Sequence, residues 1–265
     1  MTECQSQVRH GAFLLPGYLT WNKDSRRPLL YPADMTNNIP ELWQWAEYYC
    51  PWCYVAAVRL HRVAPEYAGR VRLVTRAFPL EVYGGGPPDR AELELEIWLA
   101  ALQEPAALFK PFGSDWPTTT LPAFEAAWCA FQQGDQVGLD FDLRIRQAFF
   151  AEGRDIGQRA VMQELAREAG LDLERFARDF DSGAARAAVL AEGRLGQERY
   201  RVRSTPTVML SDGSRLRHPM AYPQMRDGQI VAVGKLPCCG EGCYDVIREM
   251  FESALRASPR TESGA

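Results

Sequence analysis

Apolar and polar residues follow two different periods along the chain, and the change of period marks the elements. Glu41 to Tyr49 is a short segment rich in aromatic residues. The apolar residues of 55–63 recur at helical spacing, and 71–78 is β-branched and partly alternating. These three segments predict a strand, a helix and a second strand within about 40 residues. Together they form a β-α-β unit.

The middle of the chain has helical character from about residue 90 to residue 200. It is rich in Ala, Leu, Glu, Arg and Gln, and its breakers come at intervals that are typical of helix ends. Strand character returns at 207–210, and Ser211-Asp212-Gly213 and a partner strand over 215–218 then predict a hairpin. The predicted helices cover 93–102, 124–133, 141–152, 155–169, 173–180, 184–200 and 244–257.

These elements predict an α/β domain that is interrupted by a large helical insertion. Residues 40–88 and 200–257 form the α/β domain, and residues 89–199 form the insertion. Residues 1–39 are rich in turn residues but also carry large apolar side chains, so we expect this extension to dock on the body. The Ser- and Thr-rich residues 258–265 predict a disordered tail.

Composition and charge narrow the class of partner. The chain is 46% hydrophobic and 24% charged, and no apolar run reaches the roughly 18 residues that a membrane helix needs. Its formal net charge is −4, which provides no global positive field for nucleic acid or anionic membrane. Pro16 interrupts the apolar stretch 11–19, and no cleavage site follows it. We therefore expect a cytoplasmic protein that binds neither nucleic acid nor membrane.

Seven cysteines, five of them in two tight clusters, indicate redox or metal chemistry rather than a disulfide framework. The first cluster is Cys50-Pro51-Trp52-Cys53, at the predicted step from strand to helix. The unpaired N–H groups and the positive dipole of a helix N-terminus stabilise a thiolate, and Pro51 suits the first helical position. We predict that Cys50 is the exposed nucleophile with a lowered pKa and that Cys53, one turn further in, is the resolving thiol. Zinc binding or an inert pair are the alternatives.

A second motif, Ser204-Thr205-Pro206-Thr207, opens the predicted strand after the helical region. Proline is tolerated as the first residue of a strand, but we favour a cis Thr205–Pro206 bond that turns the Thr205 backbone toward the disulfide and an extended substrate. Arg199, Arg201 and Arg203 precede this motif. They either line the rim of the site or form a solvated face.

The order of these elements resembles the DsbA-like thioredoxin-fold oxidoreductases. The resemblance is closest to their FrnE-like branch, which is related to 2-hydroxychromene-2-carboxylate isomerases and kappa-class glutathione transferases. It covers about residues 40–257 and rests on the segments 47–54, 76–80, 168–172 and 204–207. It implies dithiol–disulfide exchange with Cys50 as nucleophile, Cys53 as resolving thiol and Pro206 as the cis proline, and no cofactor beyond these thiols.

The sequence departs from this family at three positions around the motif. Thr205 replaces the small apolar residue that usually precedes the cis proline, so its contact with substrate differs. Gln44 stands where many thioredoxin-fold proteins place a buried carboxylate, and Glu47 is the nearest residue that could accept the proton of the resolving thiol. The alternative for Glu47 is a solvated or salt-bridged strand residue. Trp52 replaces the histidine of the strongly oxidising members, which predicts a potential between theirs and that of thioredoxin.

The second cluster holds Cys238, Cys239 and Cys243, before the last predicted helix. FrnE-like proteins can carry a C-terminal C-x4-C pair, which Cys238 and Cys243 match, while Cys239 makes the pairing ambiguous. The functional interpretation is a second dithiol that relays electrons to or from Cys50 and Cys53, or protects that pair. A structural disulfide, or a zinc site that uses His218, are the alternatives.

The sequence thus predicts a thiol–disulfide oxidoreductase, or isomerase, that acts on protein cysteines. A low-molecular-weight thiol or a thioredoxin-type reductant is the expected recycling partner. Relatives with isomerase or transferase activity generally keep a serine or a single nucleophile, so two intact cysteines argue against that chemistry. A thiol-dependent transferase or isomerase, and a zinc-binding or redox-sensing module, are the competing functions.

Overall fold

A four-stranded mixed sheet carries the predicted β-α-β unit. The structure, a computed structural model, describes residues 39–227, 229–235, 238 and 241–257. The strand order is β2-β1-β3-β4, with β1 parallel to β2 and the other pairs antiparallel. The strands are β1 (Glu41–Ala46), β2 (Arg72–Ala77), β3 (Thr207–Leu210) and β4 (Arg215–Leu216), and α1 (Pro51–Val63) with a 3₁₀ turn (Ala64–Tyr67) joins β1 to β2. The predicted unit and the predicted hairpin are confirmed.

Seven helices lie between β2 and β3 in the described chain, six of them predicted from the helical period. They are α2 (Leu80–Tyr83), α3 (Arg90–Gln103), α4 (Leu121–Phe131), α5 (Asp135–Phe150), α6 (Arg159–Glu168), α7 (Leu173–Asp181) and α8 (Ala184–Glu198). After β4 come β5 (Pro223–Arg226), β6 (Gln229–Val233) and the last helix, α9 (Glu241–Ala257). The short α2 was not predicted.

Helices cover both faces of the sheet because successive residues of β1 point to opposite sides. Leu42 packs in one apolar cluster with residues of α1 and α9. Trp43 and Trp45 pack on the other face. There α8 lies so close that a Cβ atom on Gly196 would stand 2.6 Å from the Trp45 ring, which explains the glycine. The contacts on the Leu42 side of the sheet therefore also hold α1, the helix that begins with the CPWC segment.

The structure departs from the strand predictions mainly in three places. β1 ends at Ala46 instead of Tyr49, because the N–H groups of residues 48 and 49 bond to a side chain instead of a neighbouring strand. β4 ends at Leu216 instead of His218. The β5–β6 hairpin was not predicted, since its mostly exposed strands lack a pronounced apolar alternation.

Several sequence-based expectations fall on residues that the structure does not describe. The docked extension, up to residue 38, and the predicted tail lie outside the described residues, as does Cys239. Among the helices that the structure does describe, none combines the length and the apolar character that crossing a membrane requires.

Candidate active site

The CPWC residues lie at the start of α1, where the sequence predicts them. Cys50 is the N-cap residue, with extended backbone angles, and Pro51 opens the helix. The backbone N–H of Cys53 donates to Cys50 Sγ at 3.2 Å, which favours a thiolate on that sulfur. Cys50 is only 7% exposed and Cys53 is fully buried, so the expectation of an exposed Cys50 is wrong.

The Thr205–Pro206 motif lies against Cys50. β3 runs antiparallel to β1 with Thr207 opposite Trp45, and this register brings the residues before β3 to the end of β1 where α1 begins. The Thr205–Pro206 bond is cis, as predicted, and the Cys50 thiol donates to the carbonyl oxygen of Thr205 at 3.4 Å. Two segments that are 155 residues apart in sequence thus meet at one sulfur atom.

Glu47 is completely buried next to the motif, so the alternative of a solvated residue is wrong. Its carboxylate accepts hydrogen bonds from the N–H groups of Tyr48 and Leu80, each at 2.6 Å, and from the Thr120 hydroxyl at 2.8 Å. Burial raises the pKa of Glu47 to about 7, although these hydrogen bonds oppose the rise. The contact with the resolving thiol comes from the backbone, because the Glu47 N–H donates to Cys53 Sγ at 3.5 Å. A proton-acceptor role for the carboxylate stays a prediction.

A buried arginine, which the sequence analysis did not identify, contacts the backbone of Glu47. Arg146 of α5 donates to the Glu47 carbonyl oxygen at 2.9 Å and forms an ion pair with Asp142. The Tyr48 hydroxyl donates to Asp142 at 2.8 Å. The spacing of Asp142 and Arg146 on a helix was the available signal, but an i,i+4 pair is usually a surface feature. Both side chains are buried here, and they hold the segment that precedes Cys50.

The two thiols of the motif have opposite pKa shifts. Burial and the neighbouring thiol raise the pKa of Cys50 well above its ordinary value. Burial also acts on Cys53, but the hydrogen bond from the Cys50 thiol and the positive charge of Arg146 lower its pKa. The expectation of a lowered pKa at Cys50 itself is therefore wrong for the dithiol as it stands. The dithiol therefore loses its first proton at a lower pH than its second, and the two pKa values belong to the pair.

A cleft of about 680 Å³ opens over Cys50. Trp52 lies at its rim, where its ring N–H donates to the Glu96 carboxylate of α3 at 3.0 Å. The Tyr222 ring meets the Trp52 ring edge-on at 5.1 Å. Burial raises the pKa of Tyr222, and the negative charges of Cys50, Cys53 and Glu96 raise it further. Trp52, which lies between the two cysteines, is therefore held by two residues that are distant in sequence.

Three arginines line the cleft, and the sequence had indicated only one of them. Arg203 lines it together with Arg215 and Arg217 of the hairpin region, which the sequence analysis did not single out. Arg199 and Arg201 do not appear among its lining residues. His218 lies in the lining too and is 6% exposed, with neither ring nitrogen hydrogen-bonded in the described part of the protein. Burial and the charge of Arg59 hold the pKa of His218 well below its ordinary value, so this imidazole is neutral.

Two cysteines of the second cluster, Cys238 before α9 and Cys243 in its first turn, are described by the structure. Cys238 and Cys243 form a disulfide, which is the pairing that the resemblance implies. Their sulfurs are thereby unavailable as thiolate ligands for the alternative zinc site. Tyr244, the next residue, accepts a hydrogen bond from Arg62 of α1 and donates one to Glu104. The disulfide is thus adjacent to a side chain that contacts the helix of the candidate site.

Comparison with known proteins agrees with this geometry. The DSBA-like thioredoxin domain family matches residues 41–226, which span the CPWC segment, the helices and the Thr205–Pro206 strand. The chain belongs to this family. The predicted α/β thioredoxin-like fold with a helical insertion and the predicted resemblance are confirmed.

Solved structures of similar fold extend the comparison. The cytosolic disulfide reductase DsbM from Pseudomonas aeruginosa is 27% identical, with a TM-score of 0.53, and the match covers 82% of this chain and 98% of that one. The same protein has also been solved with GSH. A structure from Nitrosomonas europaea is 20% identical with a TM-score of 0.57, over 82% of this chain and 98% of its own. A 2-hydroxychromene-2-carboxylate isomerase is 14% identical with a TM-score of 0.51, over 65% and 89%. The last two share the fold.

Proposed function

We propose that this DsbA-like protein is a thiol–disulfide oxidoreductase that exchanges its Cys50–Cys53 pair with cysteines of protein substrates. The observation that carries the proposal is the position of Cys50 Sγ. It lies at the N-terminus of α1, in the wall of the cleft, within hydrogen-bond distance of both the Cys53 N–H and the Thr205 carbonyl oxygen. The Cys53 N–H supports a thiolate on Cys50, whereas burial opposes it, and the sulfur faces the space that a substrate would fill.

The reduction of a substrate disulfide takes two exchange steps. The Cys50 thiolate attacks one substrate sulfur, the substrate S–S bond breaks, and a mixed disulfide forms while the other substrate sulfur leaves as a thiolate. The Cys53 thiolate then attacks Cys50 Sγ and releases the second substrate sulfur. The substrate gains two electrons and two protons, and the Cys50–Cys53 disulfide stores the oxidation. Arg146 favours the Cys53 thiolate that the second step needs.

We propose reduction as the cellular direction, in the cytoplasm. The likeness to the cytosolic disulfide reductase DsbM supports this direction and this location. Recycling then requires two equivalents of a thiol, and the structure of DsbM with GSH supports glutathione as that low-molecular-weight thiol. A thioredoxin-type protein is the other candidate reductant. Isomerase activity uses the same first step and would follow if Cys50 released a rearranged substrate.

The Cys238–Cys243 disulfide is proposed as a second redox pair that exchanges with the first. Its support is the C-x4-C spacing together with the contact of Tyr244 with Arg62 on the helix of Cys50. A purely structural disulfide is the alternative. The two readings differ in whether the pair changes its oxidation state during turnover.

The decisive experiment traps the mixed disulfide. Reduced Cys53→Ser protein is mixed with a peptide that contains one disulfide, and the products are identified by intact mass and peptide mapping. We expect a stable adduct on Cys50 in Cys53→Ser, no adduct in Cys50→Ser and continued turnover in the wild type with glutathione as reductant. Peptide mapping of the wild type also shows whether Cys238–Cys243 opens during turnover.

The matched control is Cys129→Ala, which removes a buried thiol that does not line the cleft. Its turnover should equal that of the wild type. Full turnover in Cys53→Ser would instead support a transferase or isomerase with a single nucleophile. Near-stoichiometric zinc in protein purified without a chelator, with no reversible Cys50–Cys53 disulfide, would support the metal-binding alternative.

A further inference from the structure

The lining of the cleft over Cys50 carries charged side chains of both signs, which come from different elements. Arg203, Arg215 and Arg217 come from the Thr205–Pro206 segment and the β3–β4 hairpin region. Glu92 and Glu96 come from α3 on the side of Trp52. The arginines outnumber the carboxylates, although the whole chain has a formal net charge of −4. The cleft is thus a cationic site in an anionic protein, which is an arrangement that selects anionic groups.

The three arginines, called the arginine wall below, lack counter-charges in the part of the chain that the structure describes. Elsewhere in the protein, arginines such as Arg144 and Arg154 form ion pairs with carboxylates, but no such pair involves the arginine wall. Backbone oxygens orient two of its members instead. Arg203 donates to the Gln197 carbonyl oxygen at 3.3 Å, and Arg215 donates to the Arg201 carbonyl oxygen at 2.7 Å. These guanidinium groups keep their full charge for a ligand.

One of the two carboxylates that line the cleft already accepts a hydrogen bond from within the protein. Glu96 accepts the Trp52 ring N–H, whereas Glu92 carries no ion pair with the described residues. Arg217 also acts electrostatically on Tyr222, the same ring that senses the charges of Cys50 and Cys53. The arginine wall and Cys50 line the same cleft. A residue that flanks a substrate cysteine would lie within its field.

We propose that the arginine wall makes this protein select disulfides whose cysteine is flanked by acidic residues. The proposal rests on the proposed function, because it names the substrate class of the same site. In the mixed disulfide, the substrate cysteine is bonded to Cys50 Sγ, and its neighbours along the chain are confined to the cleft. Asp or Glu side chains there would bind the unpaired guanidinium groups, and Lys or Arg side chains would be repelled. Complementary charge of this kind raises the rate of association more than it raises the affinity.

The test compares three peptides of one sequence, in which Glu, Gln or Lys flanks a single cysteine that is disulfide-bonded to the same small thiol. Flanking charge also changes the intrinsic reactivity of the disulfide, so each rate of exchange with Cys50 is divided by the rate with an uncharged thiol, 2-mercaptoethanol. We expect the normalised rate to be about tenfold higher for the Glu peptide than for the Lys peptide at low salt, with Gln between them. The ratio should shrink toward one as salt screens the charges.

Arg217→Gln should reduce the ratio between the Glu and Lys peptides, and Arg217→Glu should invert it. Arg178→Gln, which removes one exposed arginine of α7 outside the cleft, should leave the ratio at the wild-type value. Circular dichroism spectra would establish that each variant is folded. Restoration of the ratio in Arg217→Lys would show that charge at this position sets the selection.

Any of three outcomes would overturn the proposal. Equal normalised rates for the three peptides at low salt would remove the selection itself, and an unchanged ratio in Arg217→Glu would remove its assignment to the arginine wall. A preference for glutathione disulfide without any preference among the peptides would also overturn it, because the wall would then serve the small thiol. Failure of the proposed function is distinguishable, since none of the three peptides would then form an adduct on Cys50.

Discussion

At the scale of single residues, Glu47 shows how a buried carboxylate can organise the backbone around a candidate active site. Its oxygens accept N–H groups from the residues just before Cys50 and from the start of α2, while its own N–H reaches Cys53 Sγ. The sequence indicated that Glu47 lies near the motif but did not predict its burial, because a glutamate at the end of a strand is usually solvated. The partners of its carboxylate are three backbone N–H groups and a distant threonine hydroxyl, and these leave no pattern in the sequence.

We expect Glu47→Gln to change the pH dependence of stability. Burial raises the pKa of Glu47 from about 4.5 to about 7, so the native state binds more protons than the unfolded state between these values. The contribution of Glu47 to the free energy of unfolding is therefore fully present below pH 4.5 and is lost as the pH rises through 7, by about 3 kcal/mol. Glutamine does not ionise, so the variant lacks this loss. Its amide nitrogen faces the Leu80 N–H, however, which costs about 1–2 kcal/mol at every pH.

Urea unfolding of the reduced protein between pH 4.5 and 8 measures both effects. The wild type should be the more stable protein at pH 4.5, and the difference should vanish or reverse by pH 8. Taking the difference removes the contribution of Glu192, whose pKa burial also raises. Glu249→Gln, at an exposed position of α9, should give a constant difference. A constant difference for Glu47→Gln as well would contradict the assignment.

At the scale of elements, the sequence predicted the parts that depend on local pattern. The β-α-β unit followed from an aromatic-rich segment, a helical period and a partly alternating β-branched segment, and the CPWC motif lay at the predicted step from strand to helix. Contacts between elements were not predictable, because Trp52 meets Glu96 of α3 and Tyr222 before β5, and neither contact has a local signal. The surroundings of the reactive sulfur are thus set by tertiary structure, although the sulfur itself was found from the sequence.

The contact between α1 and α3 gives a prediction at this scale. Glu96 places a negative charge beside Trp52, in a region where Tyr222 also senses the charges of Cys50 and Cys53. Glu96→Gln keeps an oxygen that can accept the Trp52 N–H but removes the charge. We therefore expect the first pKa of the Cys50–Cys53 dithiol to fall, because a neighbouring negative charge opposes thiolate formation. Ultraviolet absorbance of the thiolate as a function of pH measures this shift.

Glu94→Gln is the matched control on the same helix, because Glu94 pairs with Arg90 and does not line the cleft. It should leave the pKa of the dithiol unchanged. A rise of that pKa in Glu96→Gln would show that the loss of the Trp52 contact outweighs the loss of charge. Equal shifts in both variants would assign the effect to the charge of the whole helix.

At the scale of the whole molecule, buried ion pairs join the sheet region to the helices inserted between β2 and β3. Arg76 of β2 pairs with Glu192 of α8 at 3.0 Å, and Arg59 of α1 pairs with Glu104 after α3 at 2.9 Å. Arg146 of α5 reaches the Glu47 carbonyl oxygen. These contacts end on α1, on β2 beside β1, and on the segment just before Cys50. We propose that the insertion predicted over 89–199 folds together with the sheet rather than as an independent unit.

Glu192→Ala tests this coupling, because it removes the carboxylate that binds both Arg76 and the Ala77 N–H across the boundary. Removing one member of a buried pair typically costs about 3–5 kcal/mol, so we expect a loss of this size at pH 8. Glu168→Ala breaks exposed pairs within the helical region and should cost about 1 kcal/mol or less. Far-ultraviolet and near-ultraviolet circular dichroism should report one common unfolding transition in both variants. Two separate transitions would contradict the coupling, because the helices would then unfold while the sheet and its dithiol remain intact.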